Sequence, residues 1–236
     1  MIYNFAICLF VGAVRLIALF NKKVARMVKG EREAFDVLAR KIDPQAKYIW
    51  FHAASLGEFE QGRPLIELIR RNYPQYKILQ TFFSPSGYEV RKDYRGADVV
   101  CYLPLDTPRN VRRFLDAAHP CAAFFIKYEF WKNYLGALHR RGVPVYSVSS
   151  IFRPQQVFFR WYGVAYRDVL KCFTHLFVQN EESVRLLAGI GVTATTIVGD
   201  TRFDRVLDIC RQAKELPLVE ACLLYTSPSP RDGATS

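Results

Sequence analysis

Residues 49–58 of this 236-residue chain read IWFHAASLGE, which is the segment most informative about the fold. An apolar run comes first, a turn of small residues follows, and Glu58 stands where a helix is predicted to begin. This order is typical of a strand that leads into a helix in an α/β sheet. Ligands bind at the carboxyl ends of the strands in such sheets, so the turn marks a candidate site.

Glu58 has two interpretations. The helix dipole favours a carboxylate in the first turn of a helix, and this alone explains the position. A carboxylate that comes just after Ser55 and Gly57 at the end of a strand is also well placed to take a proton from a substrate hydroxyl. The segment by itself favours the first interpretation, and the rest of the chain reverses that preference.

Apolar runs and amphipathic segments alternate along the chain. Strands are predicted at 48–51, 77–83, 99–103, 121–126, 143–148, 175–178 and 195–198, and helices at 59–71, from 107, 131–141, 152–173, 182–188 and 205–214. Most of the strands are apolar throughout, as a parallel sheet covered on both faces requires. We therefore predict a doubly wound, Rossmann-like α/β domain. The sequence contains neither a GxGxxG after the first strand nor a GxxxxGK[ST], so it indicates neither a classical dinucleotide fold nor a P-loop ATPase.

The composition limits the class of protein and its partners. Half of the residues are hydrophobic and 14% are aromatic, so the chain can bury a core. The formal net charge of +11 predicts an acidic partner: nucleic acid, an anionic membrane or a phosphorylated substrate. The six cysteines are widely spaced and form no Cys-x-x-Cys pair. This spacing argues against a zinc site and against a secreted disulfide framework.

The chain opens with an apolar segment. Residues 1–20 are almost entirely apolar, broken by Asn4 and Arg15, and about 20 residues suffice to cross a membrane. The basic residues of 22–32 follow at once, which places the C-terminal side in the cytoplasm. We expect a membrane-anchor helix that holds the chain at the cytoplasmic face of the cell inner membrane. A helix lying in the membrane interface and a helix buried in the globular domain are the alternatives.

We divide the chain into four parts. Residues 1–21 are predicted to form the membrane-anchor helix, and residues 22–47 a basic linker and helix. Residues 48–219 are predicted to form the Rossmann-like domain. Residues 220–236 lose all periodicity in a polar run rich in Ser and Pro, so we expect a non-native tail and exclude it from the fold.

Several loops that follow strands carry polar side chains. Ser84 lies in SPSG after the second strand, which also reads as an ordinary Pro-Gly turn. Glu129 follows the fourth strand, where the start of a surface helix is the alternative. Residues 179–182, QNEE, are typical of a helix cap with acidic first-turn residues. Arg202 follows the last strand, where it would bind a phosphate or sugar acid or pair with a neighbouring aspartate.

The joint order of these segments resembles the 3-deoxy-D-manno-octulosonic acid (Kdo) transferases of lipopolysaccharide biosynthesis. The similar segments are the N-terminal apolar helix with its basic flank, HAASLGE at 52–58, TFFSPSG at 81–87, LPLD at 103–106, YEFW at 128–131, QNEE at 179–182 and GDTRFD at 199–204. The resemblance extends over residues 1–215. Lys127 stands where many members have an acidic residue, and Arg202 where many have lysine, which keeps the charge but changes its geometry.

The resemblance implies the N-terminal, acceptor-binding half of a GT-B glycosyltransferase. The implied reaction moves Kdo from CMP-Kdo to the lipid A precursor (lipid IVA) with inversion, without a cofactor, a metal ion or a nucleic-acid partner. Glu58 matches the general base of the family, and the acceptor site is assigned to Ser55, Gly57, Ser84, Glu129 and Arg202. Because the donor site belongs to the C-terminal domain, this half alone is expected to be inactive.

Two other hypotheses stay open. The chain would be a membrane-tethered module that binds lipid or sugar without catalysis, since half of the expected enzyme is missing. Alternatively, it would belong to another GT-B enzyme, such as a sugar-nucleotide epimerase or lipid A disaccharide synthase. The predicted N-terminal helix and the segment 55–58 argue against this second hypothesis.

Overall fold

The computed structural model describes residues 2–200, except for the side chains of Ile2 and Ala165. The strands are β1 (Tyr48–Ala53), β2 (Lys77–Phe82), β3 (Val99–Tyr102), β4 (Pro120–Ile126), β5 (Val145–Ser150), β6 (His175–Val178) and β7 (Thr195–Ile197). The α-helices are α1 (Ile2–Ala18), α2 (Lys22–Lys41), α3 (Leu56–Asn72), α4 (Pro85–Arg91), α5 (Pro108–Ala118), α6 (Lys132–Arg140), α7 (Val164–Arg167) and α8 (Glu181–Ala188). The predicted helix at 205–214, Arg202 and the predicted tail at 220–236 lie outside the described residues.

The seven strands form one parallel sheet in the order β3-β2-β1-β4-β5-β6-β7. This confirms the predicted parallel α/β architecture. The chain builds outward from β1 to β3 and then crosses back to place β4 on the other side of β1. The carboxyl ends of β1 and β4 therefore flank the point at which the strand order reverses, and doubly wound sheets bind their ligands there.

Strand β1 is the centre of the core because all six of its residues are buried. On one face, the fully buried ring of Trp50 packs against Phe114 and Phe125, with ring centroids 4.9 and 5.1 Å apart. On the other face, Phe51 stacks on Phe124 at 4.9 Å. An apolar side chain on each face is what a strand covered by helices on both sides needs.

Two predicted segments differ in the structure. Residues 84–87 do not form a turn: Ser84 is the N-cap of α4, and Pro85 occupies its first turn. The predicted helix at 152–173 is wrong, because this segment consists of three 3₁₀ turns around the one-turn helix α7. At Gly163 the chain passes so close to the carbonyl of Val157 that a Cβ atom would collide with it, whereas residues six positions apart in a continuous helix lie about 9 Å apart along its axis.

Helix α1 is bound to the domain at its N-terminal end by hydrogen bonds. The Tyr3 hydroxyl donates to Asp106 Oδ2 over 2.6 Å, and Asn133 Nδ2 donates to Asn4 Oδ1 over 2.9 Å. Asp106 also accepts the backbone N–H groups of Asn133 and Tyr134 in the first turn of α6, at 3.0 and 2.9 Å. One buried carboxylate therefore joins α1 to the start of α6.

The predicted membrane-spanning helix at 1–21 is not confirmed. Within residues 2–200, no helix combines the length and the apolar character that crossing a membrane requires. Ile7 and Val14 of α1 are buried against the domain, whereas its outward face is exposed and apolar. This face consists of Phe5, Leu9, Phe10, Leu16 and Ile17, and it continues into Leu19 and Phe20.

Candidate active site

The loops that follow β1, β2 and β4 meet at the carboxyl edge of the sheet. The backbone N–H of Ser84 donates to the carbonyl of Ala54 over 2.7 Å, so the loop after β2 is tied to the loop after β1. Both loops lead into helices, with Ser55 as the N-cap of α3 and Ser84 as the N-cap of α4. The first turns of α3 and α4 therefore begin at the carboxyl edge of the sheet.

Glu58 lies in the first turn of α3, and its surroundings bear on both interpretations of this residue. Its Oε2 accepts the backbone N–H of Ser55 over 3.1 Å, as a first-turn carboxylate does in a capped helix. Burial raises the pKa of the Glu58 carboxyl, and the nearby charge of Glu129 raises it further, while the N–H groups of Ala54 and Ser55 oppose the shift. A raised pKa makes the carboxylate a stronger proton acceptor near neutral pH.

A chain of buried hydrogen bonds runs beneath this edge and ends on Glu129. The indole N–H of Trp50 lies 2.8 Å from Thr81 Oγ1, which lies 2.9 Å from His52 Nδ1. His52 Nε2 lies 3.2 Å from Glu129 Oε2. The side chains of Trp50, Thr81 and His52 are fully buried, so each polar atom depends on its neighbour in the chain.

The partners fix the direction of these bonds. An indole N–H only donates and a carboxylate only accepts, so Thr81 accepts from Trp50, and His52 carries a proton on Nε2 towards Glu129. In the neutral ring Nδ1 of His52 is then an acceptor, and the Thr81 hydroxyl lies closer to it, at 2.9 Å, than to the carbonyl of Phe51, at 3.4 Å. In this tautomer every bond runs from the indole towards the carboxylate, which orients Glu129.

Glu129 lies in the loop between β4 and α6 rather than in the helix. Its Oε2 also accepts the indole N–H of Trp131 over 2.6 Å, so this oxygen is held from two sides. The ring of Trp131 in turn packs against Phe83, with ring centroids 5.2 Å apart. These contacts fix Glu129 beside Glu58, close enough for the charge of Glu129 to act on its pKa.

The other predicted site residues have simpler surroundings. Ser84 Oγ accepts the backbone N–H of Ser86 over 3.3 Å, so its hydroxyl caps α4 at the edge. Gly57 is exposed in the first turn of α3, with open space where a Cβ would point, so a ligand can approach the backbone there. Asn180 caps α8 by accepting the backbone N–H of Ser183 over 2.9 Å, which confirms the capping interpretation of QNEE.

Lys127 and Ser149 have left-handed backbone conformations where β4 and β5 end, with φ of 66° and 57°. Such strain in residues other than glycine is concentrated at functional sites. Lys127 is buried, and its Nζ lies 3.7 Å from Asp200 Oδ1 in the loop after β7. The carbonyl of Lys127 accepts the hydroxyl of Ser150 over 2.6 Å. These contacts thus connect the ends of β4, β5 and β7.

A family model matches most of this chain. The model of the N-terminal part of the 3-deoxy-D-manno-octulosonic-acid transferases (kdotransferases) matches residues 29–205, which include every site element described above. The chain belongs to the Kdo transferase family. The matched residues include Glu58 on α3 and Glu129 in the loop after β4.

Curated relatives agree with this assignment. A 3-deoxy-D-manno-octulosonic acid transferase of Bordetella pertussis is 31% identical over 83% of this chain and 48% of its own length. The protein of that name from Aquifex aeolicus is 35% identical over 72% of this chain and 43% of its own length. The chain thus spans about half the length of these Kdo transferases.

Solved structures confirm the fold from a greater evolutionary distance. The UDP-GlcNAc 2-epimerase of Neisseria meningitidis, bound to UDP-GlcNAc, matches 70% of this chain and 50% of its own with a TM-score of 0.54 and 12% identity. The epimerase of Methanocaldococcus jannaschii matches 78% and 54%, with a TM-score of 0.53 and 13% identity. At this identity the likeness shows a GT-B-like fold and nothing about the reaction.

The structure brings together five of the six residues predicted for the Kdo transferase site. Ser55, Gly57, Glu58, Ser84 and Glu129 lie in the loops and first helical turns at the carboxyl ends of β1, β2 and β4. Their roles as base and acceptor contacts stay predictions, and Arg202 lies outside the described residues. Within residues 2–200, no three His, Cys, Asp or Glu side chains are arranged to hold a metal ion.

Sequence reasoning did not identify His52 and Thr81 as site residues. Both were visible inside segments that resemble the family, HAASLGE and TFFSPSG. Nothing in the linear sequence pairs His52 with Glu129, which is 77 positions away. The sequence signal for these two residues is that each is a polar side chain in an otherwise apolar strand. A buried polar group needs a partner, so such a residue marks a polar contact inside the fold.

Proposed function

We propose that this chain is the acceptor-binding half of an enzyme that transfers Kdo from CMP-Kdo to a hydroxyl of the lipid A precursor (lipid IVA). The observation that carries the proposal is the pair Glu58 and Glu129 at the strand-order reversal of a Kdo transferase domain. One carboxylate of raised pKa and a second held by His52 and Trp131 give a cleft built to bind and deprotonate a hydroxyl.

The proposed step is a single displacement. Glu58 takes the proton of the acceptor hydroxyl while the hydroxyl oxygen forms a bond to the anomeric carbon of Kdo. The bond between that carbon and the phosphate oxygen breaks, and CMP leaves with its electron pair. Attack from the side opposite CMP inverts the anomeric carbon. Glu129 and the capped turns at Ser55 and Ser84 would hold the acceptor in line, which supplies much of the rate of a transfer reaction.

A Kdo transfer assay tests the proposal. We expect transfer from CMP-Kdo to lipid IVA when the complete gene is expressed, and none from purified residues 1–219, because the donor would be bound by a second domain. The isolated residues 1–219 should still bind the acceptor. Absence of transfer by the complete protein would refute the function, and transfer by residues 1–219 would refute the division of labour.

Two alternatives are separated by the same assay. A lipid- or sugar-binding module without catalysis would bind the acceptor in both forms and transfer nothing in either. A sugar-nucleotide epimerase is favoured only by a likeness of fold at 12–13% identity, whereas the family match rests on the sequence of residues 29–205. The sequence match is the more specific observation, so Kdo transfer is the function we propose.

We also propose that α1 attaches the protein to the cytoplasmic face of the inner membrane. The support is its exposed apolar face, which includes Leu9 and Leu16, 60% and 61% exposed. Directly beyond α1, Lys22, Lys23 and Arg26 are exposed where they would meet anionic lipid headgroups. Because α1 is also hydrogen-bonded to the domain through Tyr3, a helix lying in the membrane interface fits these contacts best.

Substitutions on the exposed face test the attachment without disturbing the fold. Leu9→Gln/Leu16→Gln should shift the protein from the membrane fraction to the soluble fraction, because binding in the interface scales with apolar area. The matched control is Leu68→Gln/Val90→Gln, which changes two exposed apolar side chains of α3 and α4 and should stay membrane-bound. Equal release of both variants, or of neither, would contradict the role of α1.

A further inference from the structure

A polar cavity of about 280 Å³ lies between α1, α2 and α5, apart from the two glutamates of the active site. The loop 104–107 closes one side of it, and the first turn of α5 opens onto it. Thr107 and Asn110 hold this wall in place, since Thr107 Oγ1 accepts the backbone N–H of Asn110 and Asn110 Nδ2 donates to the carbonyl of Leu105 over 3.0 Å. The cavity therefore has a fixed wall.

Four arginines line this cavity, from three different helices. Arg15 belongs to α1, Arg32 to α2, and Arg109 and Arg113 to α5. Among the residues that the structure describes, none of the four forms an ion pair with a carboxylate. Arg113 is held over the ring of Phe35, with its Cζ 3.9 Å from the ring centroid. Four guanidinium groups that form no such ion pair around one small cavity favour an anion.

The buried side chain of Glu31 also favours an anion as the ligand. Glu31 is 7% exposed and lines the cavity, and its Oε1 has no hydrogen-bond partner among the described residues. Burial raises the pKa of Glu31 to about 8, which the backbone of Leu105 and the charge of Arg15 only partly oppose. At neutral pH the side chain is therefore mostly protonated, and a protonated carboxyl can donate a hydrogen bond to an anion oxygen.

We propose that this cavity is a binding site for a phosphate monoester group, held by Arg15, Arg32, Arg109 and Arg113 and by the carboxyl group of Glu31. A phosphate offers several acceptor oxygens and two negative charges, which match planar guanidinium donors approaching from several sides. The cavity is smaller than the range of about 300–1,000 Å³ usual for whole ligands, so it accepts a head group rather than an entire molecule. Because α1 lines the cavity, the phosphate group has two candidate sources. One is the head group of a membrane lipid, and the other is a phosphate on a soluble or acceptor sugar.

Binding of two probes to the complete protein tests the site. Inorganic phosphate is titrated calorimetrically, and vesicles of phosphatidylcholine are compared with and without phosphatidic acid, whose head group is a monoester. The variant Arg32→Gln/Arg109→Gln removes two exposed arginines of the cavity. The control Arg71→Gln/Arg95→Gln removes two exposed arginines outside it and lowers the net charge equally.

We expect the cavity variant to weaken binding of at least one probe by about tenfold or more, and the control to change it far less. Loss with inorganic phosphate assigns the site to a free phosphate group, and loss only with phosphatidic acid vesicles assigns it to a membrane lipid. Equal effects of the two variants, or no binding of either probe to the unaltered protein, would overturn the site. The melting temperatures of all variants show whether a loss of binding comes from a loss of stability.

Glu31→Gln gives a second, independent readout. Guanidinium groups such as the four that face Glu31 keep their proton in this range, and the second ionisation of inorganic phosphate, at about pH 7, affects both proteins alike. In the unaltered protein, binding should weaken as pH rises through about 8, because ionised Glu31 repels the anion. The glutamine keeps a neutral donor, so the affinity of this variant should not fall over the same range. An identical pH dependence of both proteins would remove Glu31 from the site.

Discussion

In the complete enzyme, Glu58→Gln should lower the turnover of Kdo transfer by about 10²–10⁴-fold. The amide keeps the shape of the side chain but cannot accept the proton of the acceptor hydroxyl. Affinity for the acceptor should change far less, because loss of an interaction made in the transition state lowers turnover rather than ground-state binding. Steady-state kinetics and acceptor binding on the same variant measure both quantities.

The structural role of Glu58 gives a different signature. As a first-turn carboxylate that binds the Ser55 N–H, Glu58 is worth roughly 1 kcal/mol of stability or less. The matched control is Glu182→Gln, an exposed acidic residue in the first turn of α8, which should cost similar stability and leave turnover intact. A near-normal rate in Glu58→Gln would exclude Glu58 as the base and leave Glu129 as the next candidate.

Thr81→Val should produce the largest loss of stability among substitutions of similar size. Valine fills the same volume but removes the oxygen between Trp50 and His52. Each of these fully buried groups then lacks a partner, at a cost of about 1–3 kcal/mol per group. Chemical denaturation of the chain measures the free energy of unfolding directly, and no enzymatic activity is needed.

Thr81→Ser is the control for this prediction. Serine keeps the hydroxyl and loses only a methyl group, so it should cost about 1 kcal/mol. If the valine variant were as stable as the serine variant, the hydrogen-bond chain from Trp50 to Glu129 would contribute nothing. The orientation of Glu129 would then need another explanation than His52.

The sequence predicts the sheet well because its strands are buried on both faces. Residues 175–178 were predicted as a strand with the observed ends, and the apolar run that begins at Tyr48 extends only two residues further than expected. The site followed from the same argument, since parallel strands end at one edge. Glu58 and Glu129 were predicted to lie at that edge, and the structure places both there.

The segments that sequence could not predict depend on tertiary contacts. The aromatic residues of 152–173 are typical of a helix. In the structure, Phe152, Phe158 and Phe173 instead surround Phe130, which lies in the loop after β4. In the same way, the apolar pattern of α1 indicates a helix but not its hydrogen bond to Asp106, 103 residues away. Long-range polar pairs leave no local pattern, so sequence periodicity does not reveal them.

We propose that Glu58 is the base and shares one cleft with Glu129. The decisive measurement is the pH dependence of kcat/KM in the complete enzyme. Activity should fall as pH drops through the raised pKa of Glu58, because the protonated carboxyl cannot accept the hydroxyl proton. Glu129→Gln removes the neighbouring charge that raises this pKa, so the acid limb of its profile should move to lower pH. An acid limb at the same pH in both proteins would mean that Glu58 is not the titrating base beside Glu129.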